Sequence, residues 1–476
     1  MKYTETNKNL LKIGMPIFAG MLVSQIQQIT DQAFLGNASA EYLSAVGNAG
    51  SIIWTTISFL FSLGTGTAIL VSQKLGEGKK EKAEELLGST FVFSSFFALA
   101  IFLVWFFLNT SIFTAMGLKD PILGYASLYA KICTFGVLLS GVSSAANAVY
   151  NGNGYTKPML VTALLRGGIN ALLDWVLIFG HFGFPAMGIA GAAIATLTAD
   201  IIGTAYSVTA AFSRKLTIRL SLKALRMANL RCYVDVIKIG VPAGLEEFTW
   251  NAGNILLIRF LNLVNPLAAG IFTIVNTVTI VPALIFVGLG NASMTLSGRS
   301  TGEGRPLEIR KTVRAAIILC WIAGAFFVAA FSLFPEFFTR IFTQDATVIS
   351  QTGVMLIVCS LTLFPRAANI IYGGGIRGMG DTRWMLLSQV FGTAFVLILA
   401  RVFIFDLKLA IVGLFIAVFF DELVRAAING VYFHRKVTRK AEAIASNSAI
   451  AQGATIAQGA SDGPAIPAMG STEGAK

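Results

Sequence analysis

Charged residues are scarce in this sequence, and so are the residue types that usually bind metals. Asp, Glu, Lys and Arg together make up 13% of the chain, whereas soluble proteins carry about 25%. There are two histidines, His181 and His434, and the four cysteines form no CxxC or CxxH spacing. We therefore expect reduced, apolar cysteines and no metal cluster.

Nucleotide-binding loops are also missing. GGGIRG at residues 373–378 has the spacing of a dinucleotide loop, but it follows an apolar run rather than a strand, so we expect a flexible loop there. The sequence has no Walker A motif and no nucleophile–base pair. We therefore expect neither an enzyme nor a bound cofactor, and an ion gradient is the expected energy source.

Long apolar runs dominate the chain instead. Hydrophobic residues make up 55% of it, and the mean hydropathy is +0.73. Each run reaches the length of about 20 residues that a helix needs to cross a bilayer. The sequence therefore predicts an all-α membrane protein with twelve transmembrane helices. The predicted spans are 10–36, 43–73, 86–108, 121–149, 158–180, 186–212, 233–262, 266–297, 310–335, 347–372, 384–406 and 409–434.

The chain is an internal duplication. KIGMP at 12–16 recurs as KIGVP at 238–242, and GEG at 76–78 recurs at 302–304, both at an offset of 226. Six spans per copy is an even number, so both copies enter the membrane from the same side, related by a pseudo-two-fold axis along the membrane normal. The predicted units are an N-terminal lobe at 1–212, a basic linker at 213–232, a C-terminal lobe at 233–440 and a disordered tail at 441–476.

Positive charge lies mainly at one set of helix ends. Lys and Arg favour cytoplasmic loops, and the basic loops share a side with both termini, whereas the opposite loops hold little more than Lys119, Arg340 and Lys408. We therefore expect a multi-pass protein of the inner membrane with both termini cytoplasmic. This bias and anionic lipid account for the net charge of +12, so no nucleic-acid partner is expected.

Two carboxylates lie inside predicted spans of the first copy. Asp31 and Asp174 each lie six residues before the far end of a span, which places both about 9 Å inside the same membrane boundary. The offset pairs Asp31 with Leu257 and Asp174 with Ala400, so packing alone does not require acids here. Ionisable groups at this depth usually face a bundle interior or a wet cavity.

Amide and hydroxyl groups accompany the two acids. Asn170 shares a helix face with Asp174, and Gln27 and Gln28 share one with Asp31. Neighbouring carboxylates raise each other's proton affinity, and together with the amide and hydroxyl they offer hard oxygens to a small cation. The alternative is that each acid makes a structural hydrogen bond. We predict a site for H⁺ or Na⁺ at Asp31, Asn170, Asp174 and Thr196, with Gln28 in the substrate cavity.

The second copy carries its own charged residues. Glu246 and Glu247 in the seventh span match the depth of Arg366 in the tenth. This predicts a Glu–Arg interaction, either a gate or a static pair, and the static pair is favoured because buried opposite charges avoid isolation by pairing. Asp421 and Arg425 are spaced i,i+4 on the last span and should neutralise each other.

Several motifs resemble those of the multidrug and toxic compound extrusion (MATE) family. They are GMP at 14–16 with ITD at 29–31, GEG at 76–78, NGNGYTKPM at 151–159, and NALLD at 170–174 with GAAIAT at 191–196. The resemblance covers residues 8–437. It implies an antiporter that exports amphiphilic, often cationic, compounds in exchange for H⁺ or Na⁺ by alternating access. It also implies a cation site at Asp31, Asn170 and Asp174. We expect a monomer whose partners are small amphiphilic molecules and membrane lipids.

The sequence departs from the NorM-like pattern in the second copy. Many NorM-like members carry a glutamate two turns after the seventh-span proline and an aspartate in the tenth span, where this chain has Trp250 and Arg366. This favours the DinF-like and archaeal branch. An alternative within the superfamily is a flippase for lipid-linked precursors, which would use Arg166 and Arg366 in a cationic cavity. For Arg166, however, we favour extension to the headgroups over a place in the cavity.

Overall fold

The computed structural model describes residues 3–264 and 266–461, and within them the chain is helical with no strand. The helices are α1 (Tyr3–Ala38), α2 (Ala40–Gly76), α3 (Lys80–Ala115), α4 (Ile122–Asn153), α5 (Lys157–Phe179), α6 (Gly188–Ala211), α7 (Leu222–Arg226), α8 (Leu230–Val264), α9 (Pro266–Gly302), α10 (Pro306–Leu333), α11 (Pro335–Arg340), α12 (Ala346–Ser360), α13 (Leu363–Gly378), α14 (Thr382–Arg401) and α15 (Ala410–Ser461), with a π-helical turn at Val402–Asp406.

Each of the twelve predicted spans is helical in the structure. In the described part of the chain, nine helices are long and apolar enough to cross a membrane, and α12 with α13, bent by 46°, forms a tenth span. The other two spans are α8 and α15, whose apolar runs are interrupted by charged residues such as Glu246 and Arg425. The predicted all-α architecture of two six-helix lobes is confirmed.

Helix ends follow local sequence signals. Gly154 and Gly180 end α4 and α5 in the left-handed conformation, with φ of 67° and 78°, which glycine adopts without steric cost. Ser39 and Asp345 precede α2 and α12, and their side chains accept hydrogen bonds from the first backbone N–H groups. The predicted end of the fifth span at Gly180 is therefore correct.

Two segments differ from the predictions. The flexible loop predicted at 373–378 is wrong: these residues form the last turns of α13. A Cβ on Gly378 would lie 2.8 Å from Ser297 Cβ, and Gly374 packs directly on Gly290 of α9, so the glycines allow close helix packing instead of flexibility. The last helix continues to Ser461, so the predicted tail begins as helix; residues 462–476 lie outside the described residues.

The two lobes exchange the first halves of their first helices. Leu10 and Ile13 of α1 are buried in the apolar core of the C-terminal lobe, while Tyr233 and Val236 of α8 are buried in the core of the N-terminal lobe. The contacts are equivalent under the duplication offset. α1 and α8 therefore each connect the core of one lobe with the core of the other.

The lobes meet on the side of the membrane that carries the chain's N-terminus, which we call the termini side. A Cβ on Gly14 of α1 would lie 3.1 Å from the carbonyl oxygen of Gly288 in α9, and a Cβ on Gly66 of α2 would lie 2.8 Å from the amide nitrogen of Gly240 in α8. Glycine at these positions lets helix backbones touch across the interface.

The same helix faces separate toward the opposite side, which we call the far side. On α2, the face that contacts α8 at Gly66 continues through Thr55 toward Ser51, and one turn further a Cβ on Gly47 would meet no atom of the described residues within 4 Å. Ser51 is exposed, and Trp54 is 65% exposed. From these contacts we infer a cleft between the lobes that is closed on the termini side and open on the far side.

Candidate functional site

The predicted acid pair lies inside the N-terminal lobe, between α1 and α5. These helices run side by side in the same direction, and Gln27 Nε2 donates a hydrogen bond of 2.7 Å to Asn170 Oδ1. Asp31 and Asp174 each follow one turn later, and their carboxyl groups are close enough to interact directly. Because α1 and α5 keep the same alignment along this turn, the two acids face each other one turn after the contact between Gln27 and Asn170.

The acid pair is poorly satisfied by the protein. Asp174 is 1% exposed and Asn170 is 0% exposed. Asp31 Oδ1 and both carboxyl oxygens of Asp174 are buried without a hydrogen-bond partner in the described residues. An ionised carboxylate in this state is costly. A bound proton or a small cation coordinated by these oxygens would remove that cost, so the residues present fit either ion.

The other predicted members of the site lie in different surroundings. Thr196 is half-buried on α6, and the contact of Gly191 with the backbone of Leu177 aligns this part of α6 with α5. Gln28 is exposed and lies on the α1 face that continues from Gly14, so it borders the cleft. The predicted substrate-cavity residue and the predicted ion site are thus on different faces of one helix.

Sequence reasoning missed two groups beside the acids. Tyr129 of α4 lies near both Asp31 and Asp174, and Cys133, one turn later, lies near Tyr129. The duplication offset pairs Tyr129 with Met355. A polar residue present in only one copy is the same signal that marked the two acids, and it could have identified Tyr129.

Arg166 remains inside the N-terminal lobe. Its Nη2 donates a hydrogen bond of 2.8 Å to Thr204 Oγ1, and its Nε lies 3.4 Å from Asp200 Oδ1. Gly203 leaves room for the arginine stem, since a Cβ there would collide with it. The favoured prediction that Arg166 extends to the headgroups is wrong, because α6 supplies both a carboxylate and a hydroxyl nearby. Asp200, which the offset pairs with Ala426, was missed.

The predicted pairing in the C-terminal lobe is also wrong in its partners. Glu246 forms an ion pair with Arg377, and Arg366 Nε donates a 3.0 Å hydrogen bond to Glu422 Oε1. Glu422 lies on α15, outside the seventh and tenth spans whose matching depths led to the predicted pairing. Glu247 is exposed on the α8 face beside the cleft.

A buried polar network fills the interior of the C-terminal lobe. Arg425 Nη2 donates a 2.7 Å hydrogen bond to Asp421 Oδ2, which confirms the predicted i,i+4 pair. Arg425 Nη1 also donates to Gln389 at 2.9 Å, and Asn369 donates to Glu422 at 2.9 Å. Together with the Arg366 guanidinium, the network contains two acids and two arginines, so its charges cancel.

In the described residues the cysteines are not gathered with other metal-type ligands. All four cysteines are buried and free. Within the described residues, no group of three or more His, Cys, Asp or Glu side chains could hold a metal ion.

Two six-helix lobes that enclose a cleft, with an ionisable pair inside one lobe, define a membrane transporter built from parallel repeats. The model of the MatE family matches residues 16–176 and 242–402, two stretches separated by the duplication offset. The chain belongs to the MatE family, whose members include multidrug efflux transporters, and it is a multi-pass membrane protein.

Relatives and solved structures agree with this assignment. The probable multidrug resistance protein NorM of Thermotoga maritima is 26% identical over 437 residues, covering 90% of this chain and 92% of that protein. The uncharacterized transporter YisQ of Bacillus subtilis is 26% identical over 436 residues, covering 90% and 93%. The outward-facing structure of a MATE family transporter of the MOP superfamily superimposes with a TM-score of 0.85 at 19% identity, covering 91% and 96%. The second and third are transporters by name, and the first is a probable multidrug resistance protein.

Proposed function

We propose that the protein is an antiporter that exports amphiphilic, often cationic, compounds in exchange for H⁺ or Na⁺ bound at Asp31 and Asp174. The observation that supports this most is the pair of facing acids with three buried, unpartnered oxygens. A site of this kind gains stability when a cation binds, so its occupancy can bias the conformation of the lobe around it. As the resemblance implied for the DinF-like branch, coupling lies in the N-terminal lobe.

Alternating access in this proposal uses the asymmetry of the cleft. Taking the basic, termini side as cytoplasmic in the inner membrane, the conformation described here is open to the outside. The backbone contacts at Gly14 and Gly66 close the cytoplasmic side. The inward-open state must separate these contacts and close the far half of the cleft.

Helix α1 links ion binding to this closure. One face carries Asp31 toward α5, and another carries Gly14 and Phe18 against Gly288 of α9. Pro16 lies inside α1 between Gly14 and Phe18, and a proline inside a helix permits a bend. A change in the carboxyl pair that repositions the upper part of α1 would therefore reach the interface between the lobes.

The cleft suits amphiphilic cations. Glu247 is exposed on its wall, and the aromatic side chains of Phe248 and Trp54 are 58% and 65% exposed. A carboxylate among aromatic faces attracts organic cations through charge and cation–π interactions. Gln28 adds an exposed polar group on the α1 wall.

We propose that the protein acts as a monomer surrounded by lipid.

The flippase alternative receives less support. It relied on Arg166 and Arg366 as unpaired cations for a pyrophosphate group. Arg166 lies beside Asp200, and Arg366 pairs with Glu422, so neither guanidinium offers the cleft a free positive charge.

Ethidium efflux from proteoliposomes under separate pH and Na⁺ gradients tests the proposed function. Asp31→Asn and Asp174→Asn should each reduce gradient-driven efflux by at least about tenfold, the usual scale of coupling between sites. Asp235→Asn is the matched control, because Asp235 is an exposed acid paired with Lys238, and it should behave as the wild type. Unchanged gradient-driven efflux in both site variants would refute the proposal.

A further inference from the structure

We propose that Asp200, beside Arg166, is a second proton-binding site of the N-terminal lobe, which receives the proton from the Asp31–Asp174 pair and passes it toward the termini side. This inference rests on the proposed function and adds the identity of the coupling ion, H⁺, and its route. The route runs inside one lobe and is separate from the cleft that substrate would use.

Asp200 points into the interior of its lobe. A Cβ on Gly136 of α4 would lie 3.0 Å from Asp200 Oδ2, and Arg166 Nε of α5 lies 3.4 Å from Oδ1. Ile201 and Ile202, the next residues of α6, are 49% and 41% exposed on the outer surface of the helix. The Asp200 side chain nevertheless keeps 30% of its surface accessible, so that surface faces a space inside the lobe that water can enter.

The position of Asp200 along the membrane normal suits a relay. Gly191 of α6 packs on Leu177 of α5, and Gly203 packs on Arg166, so Asp200 lies at the level between Arg166 and Asn170. At 1.5 Å per residue this is on the order of 8 Å closer to the termini side than Asp174. A proton that moves from the pair to Asp200 has therefore moved toward the cytoplasm.

Polar groups on α4 bridge the two acidic positions. Tyr129 lies near Asp31 and Asp174, Cys133 follows one turn later on α4, and the helix reaches Asp200 at Gly136, where a Cβ would lie 3.0 Å from Asp200 Oδ2. The charged and titratable groups that face Asp200 from the helices packed against α6 are Arg166 on α5 and Cys133 on α4. A hydroxyl group and internal water are suitable carriers for a proton over this distance.

The duplicated lobe provides an internal control. Under the offset, Tyr129 corresponds to Met355, while Cys133 corresponds to Cys359 and is unchanged. Asp200 and Arg166 correspond to Ala426 and Gly392. The cysteine is thus scaffold common to both copies. The hydroxyl, the second acid and its arginine occur only in the lobe that contains the acid pair, as expected for parts of one route.

Arg166 determines which ion can follow this route. Its guanidinium places a fixed positive charge 3.4 Å from Asp200 Oδ1, and a sodium ion would be repelled there while needing several hard oxygens. A proton needs one carboxyl oxygen. The O–H bond on Asp31 or Asp174 breaks, an O–H bond on Asp200 forms, and water on the termini side then takes the proton and leaves the carboxylate. Arg166 Nη2 donates a 2.8 Å hydrogen bond to Thr204 Oγ1, which holds the guanidinium beside Asp200.

Asp200→Asn tests the relay in proteoliposomes. Ethidium efflux driven by a pH jump should slow by at least about tenfold, the scale of a lost proton-transfer group, while ethidium binding stays within about twofold of the wild type because the cleft is untouched. Asp200→Glu, which keeps a carboxyl group, should restore most of the rate. A rate for Asp200→Asn within about twofold of the wild type would overturn the proposal.

The double variant Arg166→Gln/Asp200→Asn separates relay from mere charge neutralisation. If Asp200 only compensates Arg166, removing both charges should restore efflux, and that result would overturn the proposal; a relay predicts that the double variant stays slow. Efflux by the wild type under a Na⁺ gradient alone would also overturn it. Retained efflux in Asp31→Asn and Asp174→Asn would instead refute the proposed function, whereas loss in those variants with normal Asp200→Asn refutes only the relay.

Discussion

In the N-terminal lobe the contact between the first and fifth helices carries Asp31 and Asp174, whereas in the C-terminal lobe the same positions hold Leu257 and Ala400, which are 4% and 0% exposed. The backbone frame is shared. A Cβ on Gly253 of α8 would lie 2.9 Å from Thr393 Cγ2 of α14, the contact that corresponds to Gln27 and Gly167 in the first copy. At this position α8 and α14 thus meet through apolar side chains, whereas their duplicates α1 and α5 meet through two acids.

Charges are present in both lobes but are balanced in only one. In the C-terminal lobe, Asp421 and Glu422 are matched by Arg366 and Arg425 at hydrogen-bonding distance. A fully paired buried network resists change, because separating any partner leaves an uncompensated charge. The acid pair of the N-terminal lobe has no such counter-charge at the carboxyl oxygens and responds to ions. We therefore expect the N-terminal lobe to change shape during transport and the C-terminal lobe to move as a rigid unit.

The lobes also place an arginine on opposite members of one helix pair. Arg166 of α5 packs over Gly203 of α6, whereas Arg425 of α15 packs over Gly392 of α14. In each case a glycine on the facing helix provides the space for the guanidinium stem. Either helix of the pair can therefore carry the buried arginine. Which helix carries it determines which acids the guanidinium can reach.

The largest expected effect concerns the balanced network. Arg425→Met leaves Asp421 and Glu422 without their shared partner and should lower the free energy of unfolding by about 3–5 kcal/mol. Asp31→Asn, which removes an acid that lacks a partner, should leave stability unchanged or raise it. Unfolding midpoints in detergent measure both. Destabilisation of similar size in the two variants would remove the distinction between a balanced and an unbalanced lobe.

A smaller effect is expected where the lobes touch. Gly240→Val and its duplicate Gly14→Val should each disfavour the conformation closed on the termini side by about 1–3 kcal/mol, because each Cβ would meet backbone atoms of the opposite lobe. Gly47→Val is the control, since its Cβ would lie in open space. Labelling of single cysteines placed in the cleft from either side reports the shift. Equal labelling in all three variants would show that these contacts do not control access.

The smallest effect lies at the termini side of the C-terminal lobe. Partial burial would raise the pKa of Asp381, but hydrogen bonds from Lys436 and Tyr432 outweigh it and hold the pKa below its usual range. This depressed pKa stabilises the fold above about pH 4, and the stabilisation is lost as the pH falls through the folded value. The contribution should be about 1 kcal/mol or less. Asp381→Asn should weaken the loss of unfolding free energy at acidic pH, whereas Asp235→Asn, at an exposed acid, should not. An unchanged loss in Asp381→Asn would show that Asp381 does not cause it.

Much of the fold and of the candidate site follows from the sequence because both depend on position along a helix. The apolar runs set the number of spans, the 226-residue offset sets the two lobes, and the matching distances of Asp31 and Asp174 from their helix ends place them at one depth. Tyr129 and Asp200 carry the same signal of a polar residue in one copy only. They were missed because neither lies in a recognised motif.

The sequence by itself determined the helices, their duplication and the depth of each charged residue, since hydropathy and residue spacing describe a single dimension, the membrane normal. Only the tertiary structure decided which residues meet at a given depth. Glu246 and Arg366 match in depth, yet Glu246 faces Arg377 and Arg366 faces Glu422. The physical reason is that the rotation of each helix and the choice of its neighbours come from side-chain packing among many helices at once, including the glycine contacts that let α2, α8 and α9 approach.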